Sequence, residues 1–298
     1  MGSGRYGAVQ LEKPAMIPYI PSGAAIPLIL DVWAYGLEGP LRALKYGTGG
    51  VSRPRQLLRL VKFGLFDKFC WPETHCLLVV SDEDRARCER ARPTQRVLVV
   101  PNGVDCQAIV PKRDYGMTKP LLLFSGDMGF EPNVDAAMVL ASEILPVVKR
   151  DYPTRVATCR PQPRPPHQET GARRHRRHRG CSEYAAASPG SDRLCRAPFH
   201  GAGTRTKILE AMANGLPVIT TPTGIEGIKA QPGRDLLVED TTVNMIESIH
   251  TLLASQADRE RFGRAARHLV EIKYDWPRCL WPLEPLYHDL LSPKAAAC

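Results

Sequence analysis

Short runs rich in Val, Ile and Leu alternate along the chain with longer segments in which apolar residues recur at helical spacing. The short runs predict strands at 8–11, 27–32, 76–81, 96–101, 120–125, 217–221 and 235–238. The longer segments predict helices at 53–69, 82–91, 133–149, 204–214, 242–255 and 258–272. This alternation is typical of βαβ units, so we expect an α/β protein built on parallel sheets.

One segment, 106–119, has no apolar period and combines proline, glycine and charged residues. We interpret it as an interdomain linker. It divides the chain into a first domain at 1–105 and a second domain at 120–275. The remaining residues, 276–298, contain a predicted helix at 277–291. Gly215 is expected to end the 204–214 helix in the left-handed conformation that glycine tolerates.

Residues 155–199 interrupt this pattern, and we find no strand or helix period in them. Prolines 161, 163, 165 and 166 remove backbone donors, and the run ARRHRRHR at 172–179 places like charges at helical spacing. Three interpretations stay open for this segment: a disordered basic loop, a nucleic-acid-binding arm, or a stretch translated in the wrong reading frame of a GC-rich gene. No aromatic residues interleave the arginines, so a platform for stacking bases is not supported.

The composition fits folded domains. The 298 residues are 43% hydrophobic and 24% charged, which excludes a disordered or fibrous protein. No apolar run approaches the roughly 18 residues of a membrane span, and the first residues lack the order of a signal peptide. We therefore expect a cytoplasmic protein. The nine cysteines form no C-x-x-C pair, so we expect packing roles for them and neither a disulfide framework nor a zinc site.

The net charge of +9 is concentrated in one place. Residues 155–199 contain ten arginines, no lysine and three acids, which gives +7 and leaves +2 for the rest of the chain. The basic character of the protein is therefore a property of one segment, and it does not by itself indicate a nucleic-acid-binding fold.

An anion-binding site is predicted where the run HGAGTRTKILEAMANGLPVITT begins at residue 200. Gly201 and Gly203 allow a ligand to approach the backbone closely, and the helix that starts near Thr204 directs unpaired N–H groups and its positive dipole end to the same place. Arg205 and Lys207 add positive charge.

A carboxylate completes this arrangement. Glu210 lies further along the same helix and can accept hydrogen bonds from a pair of ribose hydroxyls. The loop TGIEG at 223–227 follows the next strand at its carboxyl end, which is where ligands bind in open α/β sheets.

Five motifs in this order resemble the family-four, or group 1, glycosyltransferases of the GT-B fold, particularly the bacterial sugar transferases of polysaccharide clusters. The motifs are LLVVSDED at 77–84, VLVVPNGVD at 97–105, LLLFSGDMGFEPNVDA at 121–136, GAGTRTKILEAMANGLPVITT at 201–221 and YDW at 274–276. The resemblance implies two Rossmann-type domains, an acceptor-side domain followed by a donor-binding domain, and a final helix that packs back on the first.

The resemblance also implies an activity: transfer of a sugar from a nucleotide diphosphate sugar to a glycan or lipid-linked acceptor, with no bound metal or cofactor. The residues implied in donor binding are Gly126, Gly201, Gly203, Thr204, Arg205, Lys207, Glu210, Glu226 and Gly227. It assigns no catalytic residue, because the first part of the chain lacks the histidine that retaining members commonly place there.

Several features depart from the family pattern. The first glutamate of the usual pair is absent, since Ala202 stands in its place, and Asp127 follows Gly126 where many relatives carry an arginine. The resemblance also places the start of the chain within the later strands of the acceptor-side domain, so we expect that domain to be incomplete. We therefore expect impaired turnover; the alternatives are a non-enzymatic remnant of such an enzyme and, less favoured, a nucleic-acid-binding protein that uses 172–179.

The predicted helix at 53–69 is basic and amphipathic. Leu57, Leu58, Val61, Leu65, Phe66 and Phe69 fall mostly on one side, with Arg55, Arg59 and Lys62 on another. Such a helix either packs its apolar side on its own sheet or lies on an anionic membrane near a lipid-linked acceptor. A peripheral contact with the inner membrane through 53–69 is therefore one of two interpretations of this helix. The other is packing of its apolar side on its own sheet.

Overall fold

The computed structural model describes residues 6–21, 26–32, 41, 53–69, 71–117, 120–125, 131–159, 193–196 and 206–291. Their contacts group them into two compact units. The described residues up to Gly103 and from Trp276 onward form the first unit, and those from Val104 to Asp275 form the second. Each unit contains a parallel sheet with helices packed on it, which confirms the predicted α/β class.

The first unit is built on four parallel strands in the order β1-β2-β3-β4. They are β1 (Val9–Leu11), β2 (Leu28–Val32), β3 (Cys76–Val79) and β4 (Val97–Val99). A 3₁₀ segment (Pro14–Tyr19) and the helices α1 (Arg53–Phe69) and α2 (Asp82–Ala91) lie between the strands in sequence. All four residues of β3 are buried, as expected for a central strand of a parallel sheet.

Apolar side chains cover both faces of this sheet. Leu30 and Leu77 lie in a core on one face, whereas Ile29 and Leu78 pack on the other face with Leu286. Leu286 belongs to α10 (Leu283–Leu291), so the end of the chain packs against β2 and β3.

The prediction of a single helix at 277–291 is wrong in one respect. The structure has two helices there, α9 (Trp276–Leu280) and α10, separated by Trp281 and Pro282. Pro282 has no backbone N–H, and its ring disfavours the helical conformation of the preceding residue, which explains the break.

The second unit is built on five parallel strands in the order β6-β5-β7-β8-β9. They are β5 (Leu121–Ser125), β6 (Arg155–Cys159), β7 (Arg193–Arg196), β8 (Val218–Thr220) and β9 (Leu237–Val238). Strand β5 lies inside the sheet, and the chain order changes direction there, with β6 on one side and β7 on the other. Such a switch point is where open α/β sheets bind ligands at the carboxyl ends of their strands.

The prediction that 155–199 contains no strand is wrong at both ends of the segment. Leu121 pairs with Arg155 on one side and with Arg193 on the other, so β6 and β7 both hydrogen-bond to β5. Strands of four or five residues form through pairing with neighbours, and their composition alone gives a weak signal. Residues 160–192, which include the 172–179 run, lie outside the described residues.

Helices surround the second sheet. They are α3 (Glu131–Val139), α4 (Leu145–Asp151), α5 (Thr206–Ala213), α6 (Pro222–Ile225), α7 (Thr242–Ala254) and α8 (Gln256–Lys273). The predicted 133–149 helix is interrupted by a π turn at Leu140–Ile144. Pro146 follows directly in α4, and its missing N–H removes one helical hydrogen bond, which accounts for the altered turn.

The segment interpreted as a linker belongs to the second unit and is held by side chains of α8. The Arg267 guanidinium donates to the carbonyl oxygens of Cys106 and Ile109 at 2.7 and 2.9 Å. The backbone N–H of Cys106 donates to Asp275 Oδ1 at 3.0 Å. This contact gives Asp275, in the YDW motif, a structural role.

Burial raises the pKa of two core thiols, Cys88 and Cys106, above the usual value of a cysteine. Burial, followed by the nearby carboxylate of Asp275, raises the pKa of Cys106 to about 11. Burial, followed by Asp84, raises the pKa of Cys88 to about 12. Both thiols therefore act as neutral packing groups.

Within the described ranges, no helix combines the length and the apolar character needed to cross a bilayer.

Gly263 allows α8 to approach the turn after α5. A Cβ at Gly263 would overlap the carbonyl oxygen of Gly215 and would lie 2.6 Å from the Tyr115 hydroxyl oxygen. Gly263→Ala is therefore expected to lower the free energy of unfolding by about 1–3 kcal/mol through overpacking. Urea unfolding measures this change.

Gly64 provides the matched control, since it is a glycine inside α1 with no atom within 4 Å of an added Cβ. Gly64→Ala is expected to raise the free energy of unfolding by about 0.5–1 kcal/mol, the ordinary helix preference of alanine over glycine. A stabilising Gly263→Ala would contradict the close approach of α8.

Candidate functional site

The carboxyl edge of the second sheet carries the candidate site. Strands β7 and β8 are neighbours there, and each is followed by a chain segment at the same edge. Helix α5 comes after β7, and the segment Thr221 to Gly227 comes directly after β8. Because parallel strands all end at one edge, the start of α5 and this segment lie on the same side of the sheet.

Helix α5 presents one buried and one partly exposed side. Ile208, Leu209 and Met212 are buried in the core of the second unit. Lys207 and Glu210 are partly exposed and are separated by three residues, which places them about one helical turn apart on one face. The apolar residues therefore fix the helix on the sheet, and Lys207 and Glu210 lie on its partly exposed side.

The carboxyl end of α5 is fixed by two hydrogen bonds. Gly215 adopts a left-handed conformation with φ 67°, and its N–H donates to the carbonyl oxygen of Met212 at 2.9 Å. The Arg267 guanidinium donates to the carbonyl oxygen of Ala213 at 2.6 Å. The predicted role of Gly215 as a helix terminator is confirmed, and Arg267 couples α5 to α8.

The segment after β8 is tightly packed at its base. The Thr221 hydroxyl accepts a hydrogen bond from the N–H of Gly224 at 3.1 Å and caps α6. A Cβ at Gly224 would overlap the hydroxyl oxygen of Thr220, so only glycine fits there without movement. Further along, Glu226 is exposed and Gly227 has φ 75°. Gly227 is thus one of the three described glycines with positive φ.

Thr220 is a polar residue that the sequence analysis did not select. It is the last residue of β8, it is fully buried, and its hydroxyl has no hydrogen-bond partner among the described atoms. A buried hydroxyl without a partner is uncommon, and here it lies at the ligand-binding edge of the sheet. Its position at the end of the buried run PVITT is the sequence signal that could have identified it.

The structure describes four of the sequence-predicted donor-site residues: Lys207, Glu210, Glu226 and Gly227. The first two share α5, and the other two follow the strand next to β7, so the topology brings both pairs to one edge. The other five predicted residues, Gly126, Gly201, Gly203, Thr204 and Arg205, lie outside the described residues. In the described part of the chain, no group of three His, Cys, Asp or Glu side chains is placed to hold a metal ion.

Part of the chain matches a model of a known protein family. Residues 119–255 match the family model described as glycosyl transferases group 1. No curated protein matches the sequence.

Solved structures match nearly the whole chain. Sucrose-phosphate synthase from Thermosynechococcus elongatus is 15% identical with a TM-score of 0.61, over 96% of this chain and 74% of its own. WaaG, a glycosyltransferase of lipopolysaccharide biosynthesis, is 14% identical with a TM-score of 0.57, over 94% of this chain and 80% of its own. HepE from Anabaena, solved with UDP and glucose, is 11% identical with a TM-score of 0.56, over 95% of this chain and 77% of its own.

The family match covers the second sheet and helix α5, which carries Lys207 and Glu210, and the structural matches extend over both units. The chain therefore has the GT-B fold, and its residues 119–255 match the model of the group 1 glycosyltransferases.

Proposed function

We propose that this protein transfers a sugar from a nucleotide diphosphate sugar to a hydroxyl group of a glycan or a lipid-linked acceptor in polysaccharide biosynthesis. In this reaction the bond between the sugar C1 and the diphosphate oxygen breaks, and the acceptor oxygen forms a new bond to C1. The hydroxyl proton is released, and the nucleoside diphosphate leaves with added negative charge. The protein must therefore bind a diphosphate and stabilise it as it leaves.

One observation carries this proposal: Lys207 and Glu210 lie one turn apart on the same partly exposed side of α5. A lysine in the first turn adds to the positive end of the helix dipole, and together they favour a diphosphate over a neutral ligand. A carboxylate one turn later suits the two ribose hydroxyls, which donate hydrogen bonds. The spacing thus fits a nucleotide that lies across the start of α5.

The rest of the proposed donor pocket comes from neighbouring segments. Glu226 and Gly227 would line it from the segment after β8, and the buried Thr220 hydroxyl at the base of that segment offers a further polar group. Gly201, Gly203, Thr204 and Arg205 would surround the diphosphate, and Gly126 would face it from the loop after β5. In this arrangement a helix terminus and two cations neutralise the leaving group, so no metal is required.

The known relatives support this choice of ligand. HepE, which is similar over 95% of this chain, was solved with UDP and glucose. WaaG acts in lipopolysaccharide biosynthesis. A nucleotide diphosphate sugar and a glycan-type acceptor are therefore the ligands that we propose for this chain. Because Ala202 and Asp127 replace an expected glutamate and an expected arginine, we propose that turnover is slow even when the nucleotide binds.

Isothermal titration calorimetry tests the donor site directly. The full chain is titrated with UDP, GDP, ADP and dTDP, and with the matching monophosphates. We expect heat of binding with at least one diphosphate and weaker binding of its monophosphate, because the diphosphate makes more contacts with Lys207 and the start of α5. A sample that unfolds cooperatively but gives no heat with any diphosphate would remove the proposal.

We also propose that the protein works in the cytoplasm and makes a peripheral contact with the membrane through residues 53–69. In the structure these residues are one helix, α1, with several exposed leucines and cations. A lipid-linked acceptor would then be delivered from the same membrane.

A further inference from the structure

In the described part of the second unit, two threonine hydroxyls are buried without a hydrogen-bond partner, and they lie at opposite edges of the sheet. Thr220 is fully buried and ends β8 at the carboxyl edge, whereas Thr154 is 2% exposed and precedes β6 at the amino edge. A threonine hydroxyl can both donate and accept hydrogen bonds, so each side chain carries a polar group that is not used. Valine has the same shape and no such group, so both positions need a reason for their threonine.

The Thr220 side chain lies on the face of the sheet that carries α5. Val218, two residues earlier in β8, packs in the core that includes the buried side of α5, and side chains two residues apart in a strand share a face. The backbone carbonyl oxygen of Thr220 accepts a hydrogen bond from the N–H of Glu239 at 2.8 Å. The unused group is therefore the side-chain hydroxyl, on the same face as the proposed donor-binding helix.

This hydroxyl touches the segment Thr221 to Gly227 without bonding to it. A Cβ on Gly224 would overlap Thr220 Oγ1, so the two residues are in close contact. The N–H of Gly224 donates to Thr221 Oγ1 at 3.1 Å, and the N–H of Ile225 donates to the carbonyl oxygen of Thr221 at 3.1 Å. Two backbone donors of the segment are thus engaged with Thr221 in this state. A small displacement of the segment would bring other backbone groups to the Thr220 hydroxyl.

A ligand at the carboxyl edge would act on this same segment. Glu226 and Gly227, at its end, are proposed to line the donor pocket, and its base rests on Thr220. Ligand binding shifts a conformational equilibrium only through an interaction that differs between the two states. A hydroxyl that is unpaired in the free state and paired in the bound state supplies such a difference, because the cost of the unpaired group is then limited to the free state.

We propose that Thr220 is a positioning residue of the donor site. The segment Thr221 to Gly227 closes on the bound nucleotide, and a backbone group of the closed segment pairs with the Thr220 hydroxyl. This inference rests on the proposed function and deepens it by naming the residue that links nucleotide binding to the segment after β8. Thr220 acts through the segment and does not itself touch the ligand. Thr154, at the opposite edge, has no such role.

Three variants of the full chain test the proposal: Thr220→Val, Thr220→Ser and Thr154→Val. Thermal unfolding without nucleotide comes first. Thr220→Val and Thr154→Val should each raise Tm by about 2–4 °C, because each removes an unpaired buried hydroxyl and keeps the shape of the side chain. Thr220→Val with a lower Tm than the unaltered chain would contradict the proposal, since the hydroxyl would then be paired in the free state.

Calorimetric titration with UDP, GDP, ADP and dTDP then separates the two threonines. For the nucleotide that the unaltered chain binds, Thr220→Val should weaken binding by about tenfold, because the closed segment loses its hydrogen bond to Thr220. Thr220→Ser keeps the hydroxyl and should restore binding, and Thr154→Val should bind like the unaltered chain. Hydrogen exchange followed by mass spectrometry measures the segment itself. Nucleotide should slow exchange at 221–227 in the unaltered chain and should slow it less in Thr220→Val.

The outcomes distinguish this inference from the proposed function. If the unaltered chain binds none of the four nucleotides, the donor site is removed and the role of Thr220 with it. If it binds one and Thr220→Val binds that nucleotide equally well, the role of Thr220 alone is removed. Equal weakening in Thr220→Val and Thr154→Val, or in Thr220→Val and Thr220→Ser, would also overturn the inference, because the effect would then come from altered packing.

Discussion

Replacing Arg259 with methionine is expected to lower the free energy of unfolding by about 3–5 kcal/mol, because it removes the charged partner of a buried polar cluster. Arg259 lies on α8 and is only 5% exposed. Its Nε donates to the carbonyl oxygen of Tyr115 at 3.0 Å, and its Nη1 donates to those of Leu252 and Leu253 at 2.8 and 3.1 Å. Methionine fills similar space but leaves these carbonyl groups without donors.

The size of this effect follows from what Arg259 joins. Leu252 and Leu253 lie in the last turn of α7, where unpaired carbonyl groups form the negative end of the helix dipole. Tyr115 lies in the segment before β5, so a single guanidinium links that segment, the end of α7 and α8. Each buried carbonyl left unpaired costs about 1–3 kcal/mol.

Arg264→Met is the matched control for Arg259→Met. Arg264 is on the same helix, and its side chain is 72% exposed. Within the described ranges its only ion pair is with Glu260, and exposed ion pairs contribute little to stability. Its replacement is expected to change the free energy of unfolding by less than about 0.5 kcal/mol. Urea unfolding followed by circular dichroism measures both variants. Equal losses in the two variants would contradict the role given to Arg259.

The second large effect concerns ligand binding. Lys207→Ala is expected to weaken binding of the preferred nucleoside diphosphate by about 10- to 100-fold, the usual contribution of a hydrogen bond to a charged group. The loss should be smaller for the monophosphate, because Lys207 is proposed to face the diphosphate. Lys149→Ala is the matched control, since Lys149 is an exposed lysine of the same unit at the end of α4.

Glu210→Gln tests the ribose end of the proposed pocket separately from the diphosphate end. It keeps the shape of the side chain but removes the charge that favours ribose hydroxyl donors. We expect Glu210→Gln to weaken binding of the diphosphate and of the monophosphate by the same factor. Lys207→Ala should weaken binding of the diphosphate more than binding of the monophosphate. If both variants weakened the binding of every nucleotide by the same factor, the assignment of Lys207 to the diphosphate would be wrong.

Local sequence signals predicted much of the secondary structure. The bounds of α1 and α2 agree with the predicted 53–69 and 82–91, and the two long helices near the end of the chain differ from their predictions by one or two residues. Helices with a strong apolar period are specified by neighbouring residues in sequence. Side-chain caps add to this: Ser81, Thr241 and Ser255 each accept a hydrogen bond from a backbone N–H in the first turn of the following helix.

Strands of the second sheet were predicted less well. β6 and β7 lie in sequence that we interpreted as lacking any strand, yet both pair with β5. Their stability comes from hydrogen bonds to β5, which is distant in sequence, and no local sequence pattern predicts such a partner. The breaks near Pro146 and Pro282 could have been predicted from the prolines, since neither residue has a backbone N–H to donate within a helix.

For the candidate site, the sequence alone determined the residue types and their order: a cation and a carboxylate three residues apart on a helix, followed by a buried strand and a glycine-containing segment. It also determined that the helix at 53–69 would be basic and amphipathic. These features depend on spacing within one element, which the backbone period converts directly into position.

Only the tertiary structure decided which surfaces face inward. It turned Gln56 and Leu60 of α1 toward the first unit and left Leu58, Leu65 and Phe69 exposed, although packing of the apolar side was the alternative reading. It also buried Thr220 at the carboxyl edge of the second sheet, with no hydrogen-bond partner for its hydroxyl among the described residues, and joined Arg259 to carbonyl groups of two other segments. The reason is that burial depends on contacts between segments far apart in the chain, and a sequence pattern fixes the faces of an element but not the surface that each face meets.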